Sequence, residues 1–234
     1  MPTFDGNVNG MEPQGNKPVI YYIYDALCGW CYGFSPVIQE FYRRNKDNYE
    51  FHVLSGGMVT GEQEGPVGEV AGYIKTAYQD VEKATGIEFG KAFLEETLEE
   101  GDAYFSSVPA ALAMALFRTQ RPEVVIPFSV RIQKAIYYDG LPPAELSTYG
   151  ECVKDFKMDS ELFMQRMTDS AVQNLVRQEF KVVARWGIKG FPSVVYKDGD
   201  HAYMISRGYS PLPVLEETFN NVKAEITQKR KASE

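Results

Sequence analysis

The sequence predicts an α/β fold in which a large helical segment is inserted between the second and third core strands of a small sheet. Three features of the pattern point to it. A strand, helix, strand pattern occupies residues 18–59, a hairpin and a helix occupy residues 186–234, and helical spacing dominates between them. At 234 residues and 44% hydrophobic composition, the chain can bury the core of one domain carrying an insertion, or of two small domains.

The N-terminal unit follows a leader, residues 1–17, which is rich in Gly, Asn and Pro and is expected to be disordered. The apolar run Val19–Tyr24 predicts the first strand, and a helix is expected to begin at Cys28 and to continue past Tyr42. A second strand at residues 51–54 ends before two glycines. Because strands joined through a helix usually pair in parallel, this unit predicts a parallel pair.

The middle of the chain, residues 60–185, is predicted to be an inserted helical domain. Apolar residues recur there at helical spacing, and the pattern indicates one helix with Ser107 as its N-cap and another behind Ser170. Residues 18–59 and 186–234 are therefore expected to form one thiol-bearing domain around this insert.

Strand character returns at residues 193–196 and 202–205, and the turn between them predicts an antiparallel hairpin. Ser210-Pro211 then precedes a last helix, because proline is tolerated in a first helical turn. The complete order is that of the thioredoxin fold with helices inserted in its middle.

The pattern Cys28-Gly29-Trp30-Cys31 stands where the first helix begins. A thiolate is the nucleophile in disulfide exchange, and the unpaired N–H groups of a first helical turn favour that negative charge. Cys28 is thus the candidate nucleophile. Cys31 lies nearly one turn further on, within reach for a disulfide, and is the candidate resolving thiol. The pattern predicts a redox-active disulfide between Cys28 and Cys31.

The two residues between the sulfurs tune the thiolate. Gly29 leaves the loop unhindered, and Trp30 offers an apolar face and one hydrogen-bond donor, but neither carries a positive charge. We therefore expect weaker stabilisation of the Cys28 thiolate than a histidine in this loop would provide.

Composition argues against other functional classes. The net charge of -8 opposes binding to a phosphate backbone, so no nucleic-acid partner is expected. A zinc site would need a second closely spaced ligand pair, and Cys152, His52 and His201 supply none, so no metal is expected. A purely structural disulfide would close too small a loop to add much stability. The lone Cys152 is typical of a buried packing residue, with a regulatory role as the alternative.

The sequence contains no apolar run long enough to span a membrane, and residues 1–17 lack the apolar segment of a secretory signal. A cytoplasmic protein without a membrane partner is therefore expected, unless a leader peptide has been removed. In a reducing compartment a close cysteine pair is more often catalytic than structural.

Two motifs, CGWCYGFSP at residues 28–36 and GIKGFPS at residues 187–193, resemble the DsbA-like branch of the thioredoxin superfamily. The resemblance is greatest with its cytosolic FrnE-type members, which lack a signal peptide and in which an aspartate near the position of Asp25 precedes a CxWCY motif. Asp25 is the nearest candidate for proton transfer with the second cysteine; alternatively, it caps the turn before the helix.

The resemblance also implies that the bond before Pro192 is cis and that this proline faces the active disulfide. The backbone of Phe191 would then be turned toward a substrate chain. The alternative is that Pro192 only begins a strand. Gly29, Trp30, Phe191 and Pro192 are the expected substrate-binding residues, and Pro36 is expected to bend the first helix.

These expectations describe a thiol–disulfide oxidoreductase that acts on protein or small-molecule thiols and disulfides without a bound cofactor. The oligomeric state is left open. Because the cytosolic thiol pool is reducing, reduction or isomerisation is the expected direction, with glutathione as a candidate co-substrate. Two alternatives remain: a glutathione-dependent isomerase or transferase related to the kappa class, which Cys31 disfavours, and a non-catalytic adaptor that holds another protein.

Overall fold

The computed structural model of the protein describes residues 17–199 and 201–233, so the predicted leader lies outside the described residues except for Lys17. In chain order the elements are β1 (Val19–Tyr24), α1 (Gly29–Asn45), β2 (Glu50–Ser55), a 3-10 turn (Gly61–Gln63), β3 (Gly65–Pro66), a 3-10 turn (Val67–Glu69), α2 (Ala71–Thr85), a π-helix (Ala92–Thr97) continued by α3 (Leu98–Glu100), β4 (Tyr104–Phe105), α4 (Ser107–Gln120), a 3-10 turn (Pro122–Val124), α5 (Val125–Tyr137), α6 (Leu146–Lys154), α7 (Ser160–Met167), α8 (Ser170–Arg185), β5 (Ser193–Asp198), β6 (His201–Arg207) and α9 (Leu212–Ser233).

The central strand β1 is buried along its whole length. It pairs with β2 in parallel and with β5 antiparallel, and β5 pairs antiparallel with β6, which gives the sheet order β2-β1-β5-β6. A strand covered on both faces carries a continuous apolar run rather than an alternating one, which explains the sequence of β1. The predicted parallel pair and the C-terminal hairpin are both confirmed.

Side chains alternate along β1 between two hydrophobic clusters. Tyr22 and Tyr24 belong to a cluster that includes buried residues of α1, α9 and the insert. Tyr21 and Ile23 belong to a second cluster that includes Val182 of α8. Helices therefore cover both faces of the sheet, and the architecture is the predicted thioredoxin fold with a helical insertion.

The helices α2 to α8 lie between β2 and β5 in the chain, which confirms where the insertion occurs. The N-cap of α4 is Ser106, whose side chain accepts a hydrogen bond from the N–H of Val108 at 3.2 Å. The expectation that Ser107 caps this helix was wrong, because the Ser107 hydroxyl is engaged in the site described below. The short antiparallel ribbon of β3 and β4 was not predicted, since two-residue strands show no periodicity.

A buried ion pair joins the insert to the sheet. Arg118 of α4 and Glu179 of α8 are both buried, with Nη2 and Oε2 2.6 Å apart. Arg118 also donates to the carbonyl of Val53, and Glu179 accepts from the N–H of Ser55, so the pair satisfies backbone groups of the edge strand β2. The division of the chain into two domains stays a prediction.

Candidate active site

The first cysteine of the motif caps the helix that follows the central strand. Cys28 has an extended backbone and is the N-cap of α1, and its carbonyl accepts hydrogen bonds from the N–H groups of Cys31 (2.9 Å) and Tyr32 (3.1 Å). Its own N–H donates to the carbonyl of Asp25 at 3.1 Å. The Cys28 side chain is thus held at the first turn of α1, where unpaired amides and the helix dipole favour a negative charge.

The two cysteines are free thiols that differ in burial and in pKa. Cys28 is 7% exposed, whereas Cys31 is fully buried. A hydrogen bond from the Cys31 side chain lowers the pKa of Cys28 despite burial. Burial, and then the same hydrogen bond, raise the pKa of Cys31 well above its usual value. The pair therefore favours a charge on Cys28 and a proton on Cys31.

The loop before β5 lies against the accessible sulfur. The peptide bond between Phe191 and Pro192 is cis, as the resemblance implied. The Phe191 carbonyl accepts a hydrogen bond from Cys28 Sγ at 3.5 Å. The Phe191 ring packs against Gly56, the residue directly after β2. It occupies the space of a side chain there, so a Cβ added at Gly56 would lie 2.0 Å from the ring. The backbone carbonyl of Phe191 thus contacts the Cys28 side chain.

The other expected substrate-binding residues lie at the rim of the site. Trp30 is 38% exposed, and its ring centroid is 6.4 Å from that of Tyr209. Gly29 is half-buried beside the ring of Phe89. An exposed apolar surface therefore borders Cys28, although binding of substrate by these residues stays a prediction.

The side chain of Asp25, in the loop between β1 and the CxxC motif, is buried. Asp25 is 1% exposed and accepts hydrogen bonds from Leu27 N–H (2.9 Å), Ser107 Oγ (2.8 Å) and Met58 N–H (2.7 Å). Burial raises the pKa of Asp25, and these hydrogen bonds oppose the increase. The bond to Leu27 agrees with the capping interpretation, whereas proton transfer by Asp25 stays a prediction.

The insert supplies two polar residues that sequence reasoning missed. Ser107 of α4 donates to Asp25 and accepts from the N–H of Val59 at 2.9 Å. Gln133 of α5 approaches Ser35 Oγ at 3.1 Å, and with its amide nitrogen on that side it also donates to the Cys31 carbonyl at 3.2 Å. Two serines, Ser106 and Ser107, stand at the start of α4, and only one of them can be the N-cap, so the sequence does indicate that the other hydroxyl is available for another partner. Nothing in the sequence indicates a role for Gln133.

Aromatic residues of the insert pack beside the first turn of α1. Tyr137 of α5 is buried, with its ring stacked on Tyr32 at 5.3 Å between centroids and edge-on to Phe89 at 5.3 Å. Burial, followed by the charge of Cys28, raises the pKa of Tyr137 well above its usual value. The insert thus contributes an aromatic cluster that packs on Tyr32, the residue after Cys31. Over the described part of the chain, no cluster of three or more His, Cys, Asp or Glu side chains could hold a metal ion.

A dithiol at the start of the helix after the central strand, faced by a cis-proline loop, defines a thioredoxin-fold protein with a CxxC site. Residues 19–220 match the DSBA-like thioredoxin domain. The chain belongs to this family of thiol–disulfide oxidoreductases. Comparison with curated proteins gives no significant match.

Several solved structures share the fold over most of the chain. A candidate protein disulfide isomerase from Nitrosomonas europaea is 27% identical with a TM-score of 0.77, covering 89% of this chain and 98% of its own. The cytosolic disulfide reductase DsbM from Pseudomonas aeruginosa is 24% identical with a TM-score of 0.70, covering 91% of this chain and 98% of its own. The structure of DsbM with GSH gives 22% identity, a TM-score of 0.68 and coverage of 91% and 99%.

Proposed function

We propose that this protein reduces or isomerises disulfides of protein or small-molecule substrates in the cytoplasm, with Cys28 as nucleophile and Cys31 as resolving thiol. The observation that carries the proposal is the placement of the two sulfurs: Cys28 caps α1 with its Sγ against the Phe191 carbonyl, and Cys31 is fully buried. The directions of their pKa shifts, down for Cys28 and up for Cys31, agree with this placement. The sulfur that borders the surface favours the thiolate, and the buried sulfur keeps its proton, which is the division of roles that exchange requires.

In the first step the Cys28 thiolate attacks one sulfur of a substrate disulfide. A bond forms between Cys28 Sγ and that sulfur, the substrate S–S bond breaks, and the other substrate sulfur leaves as a thiolate that takes a proton from solvent. Because the Phe191 carbonyl lies against Cys28 Sγ, its backbone is placed to pair with an extended substrate segment. The exposed face of Trp30 adds an apolar contact.

In the second step the Cys31 thiol loses its proton and attacks Cys28 Sγ. The Cys28–Cys31 bond forms, the mixed disulfide breaks, and the second substrate sulfur leaves as a thiolate that is then protonated. Two electrons have passed to the substrate. Asp25, buried below the motif, is the candidate acceptor of the Cys31 proton. Two molecules of a thiol such as glutathione then reduce the disulfide and are themselves oxidised to one disulfide.

A structural neighbour and the thiol chemistry of the cytosol support the location, direction and co-substrate. In the part of the chain that the structure describes, no helix is long and apolar enough to cross a membrane. DsbM, which shares the fold, is named a cytosolic disulfide reductase, and one of its structures contains GSH. Since cytosolic glutathione keeps dithiols reduced, a protein working in that pool reduces or isomerises more readily than it oxidises.

The trapping experiment replaces the resolving thiol. A Cys31→Ser variant should accumulate mixed disulfides through Cys28 when incubated with insulin, because the second step is blocked. The adduct is detected on non-reducing gels and by intact mass, and dithiothreitol should release it. The Cys28→Ser/Cys31→Ser variant is the negative control. A Cys31→Ser/Cys152→Ser variant should trap as well as Cys31→Ser does, since Cys152 is buried away from solvent.

Absence of any Cys28 adduct with insulin would contradict the proposed exchange. The direction is tested separately by equilibrating the wild-type pair in glutathione buffers. A reductase or isomerase should have a reduction potential of about -180 mV or lower, whereas a value near about -120 mV would indicate a strong oxidant and overturn the proposed direction.

A further inference from the structure

In the core of the protein, Tyr22 carries a hydroxyl without a hydrogen-bond partner of normal geometry. It lies on the central strand β1 and is fully buried, and its hydroxyl makes no hydrogen bond of normal geometry with the described residues. The side chain that acts on this hydroxyl as a weak hydrogen-bonding group is that of Cys31. Buried polar groups in folded proteins are nearly always paired, so an unpaired hydroxyl in the middle of the sheet needs an explanation.

The hydroxyl faces the dithiol. The ionisable groups that act on Tyr22 are, in order, Cys31 and Cys28 of α1 and Tyr24 of its own strand. Its ring centroid is 6.0 Å from that of Phe34, which stands one helical turn after Cys31 on the same helix. Tyr22, Phe34 and Cys31 belong to one buried cluster, so Tyr22 projects from the sheet toward the first turns of α1, where the resolving sulfur lies.

Apart from Tyr22, the surroundings of the Cys31 sulfur disfavour a negative charge on it. Besides Tyr22, the titratable groups around it are Cys28 on the same helix, Asp25 in the loop before it, Tyr24 of β1 and Tyr137 of α5. In the free dithiol Cys31 donates to the Cys28 sulfur. In a mixed disulfide Cys28 no longer carries a charge, and Cys31 must ionise in a fully buried position.

We propose that the Tyr22 hydroxyl donates a hydrogen bond to the Cys31 sulfur when that sulfur becomes a thiolate in the resolving step. This inference rests on the proposed disulfide exchange. The bond changes described for that step are unaltered: Tyr22 keeps its proton and its oxidation state. Burial raises the pKa of Tyr22 well above its usual value, so the group acts as a donor and not as a base.

The test uses dithiobis(nitrobenzoate), a synthetic disulfide whose released thiolate is coloured. The first equivalent reports attack by Cys28, and the second reports attack by Cys31 on the mixed disulfide. Tyr22→Phe removes only the hydroxyl. Tyr24→Phe is the matched control, because Tyr24 is also fully buried on β1 with an unpaired hydroxyl, but the groups that act on it most are Asp25, Tyr149 and Glu179 rather than Cys31. Removing an unsatisfied hydroxyl relieves its desolvation, so both variants are expected to fold.

We expect Tyr22→Phe to release the second equivalent about tenfold more slowly, the size of a hydrogen bond to a charged group. The pH midpoint of this phase should rise by about one unit. The rate of the first phase should be the same in Tyr22→Phe and wild type, and Tyr24→Phe should match wild type in both phases. Equal second phases in Tyr22→Phe and wild type, or equal slowing by both variants, would overturn the inference while leaving exchange intact. A wild-type protein that releases no second equivalent would instead overturn the proposed function.

Discussion

Cys28 and Cys31 are chemically identical side chains three residues apart, and their surroundings give them opposite behaviour. The sequence was enough to predict that Cys28 stands at the N-terminus of α1, the position that favours a thiolate. The lowered pKa of Cys28 has a further cause, the hydrogen bond from Cys31, which depends on both side chains meeting below the first turn. The stabilisation of the thiolate is therefore supplied within the pair, although neither Gly29 nor Trp30 is charged.

Asp25 gives a pH-dependent prediction at the same scale. Burial raises its folded pKa above the ordinary value of 3.8, so the folded protein retains the proton over a range in which the unfolded chain has lost it. Stability therefore falls as pH rises from about 3.8 to the folded pKa, by about 1.4 kcal/mol per unit of difference. Asp25→Asn should lack this component. Urea unfolding of both proteins between pH 4 and 7 should show wild type losing stability relative to the variant.

A stability difference between wild type and Asp25→Asn that is constant across this pH range would contradict the assignment. A constant offset superimposed on the pH-dependent part is expected, because an asparagine has one oxygen and cannot keep every hydrogen bond that the carboxylate accepts.

At the scale of elements, local patterns predicted β1, α1 and the hairpin, because an apolar run and helical spacing are properties of neighbouring residues. The α4 cap differed by one position, since Ser106 and Ser107 are both acceptable caps and the choice depends on Asp25, 82 residues away from Ser107 in sequence. Gln133 could not be predicted for the same reason. Its role depends on how α5 packs against α1, and no local pattern encodes that packing.

The contact between Gly56, at the end of β2, and Phe191, in the loop before β5, gives a testable prediction. Gly56 is required because the Phe191 ring occupies the space of a Cβ at that position. Gly56→Ala should displace the ring together with the carbonyl that contacts Cys28 Sγ, destabilising the protein by about 1–3 kcal/mol and slowing formation of the mixed disulfide. Urea unfolding and the first phase of the nitrobenzoate reaction measure the two effects.

The matched control is Gly72→Ala in α2, where a Cβ meets no atom within 4 Å. This change should raise stability by about 0.5–1 kcal/mol and leave the rate unaltered, because alanine is the better helix former. If Gly56→Ala behaves as Gly72→Ala does, the Phe191 ring is not held by β2.

At the scale of the whole molecule, the insert completes the site instead of only extending the chain. It contributes Ser107, which donates a hydrogen bond to Asp25, and Tyr137, whose ring stacks on Tyr32 next to Cys31. Its position relative to the sheet is fixed in part by the Arg118–Glu179 pair, whose partners come from α4 and α8 and bind the backbone of β2. The geometry at Cys28 therefore depends on contacts made far from it.

Breaking this ion pair should weaken the entire fold. Arg118→Met leaves the fully buried Glu179 without its cation and should destabilise the protein by about 3–5 kcal/mol in urea unfolding. Adding Glu179→Gln should recover at least half of that loss, because a neutral amide can still accept from Ser55. Lys154→Met is the control: it breaks the exposed pair with Glu151 and should change stability by less than about 0.5 kcal/mol. A similarly small effect of Arg118→Met would mean that hydrophobic contacts alone hold the insert on the sheet.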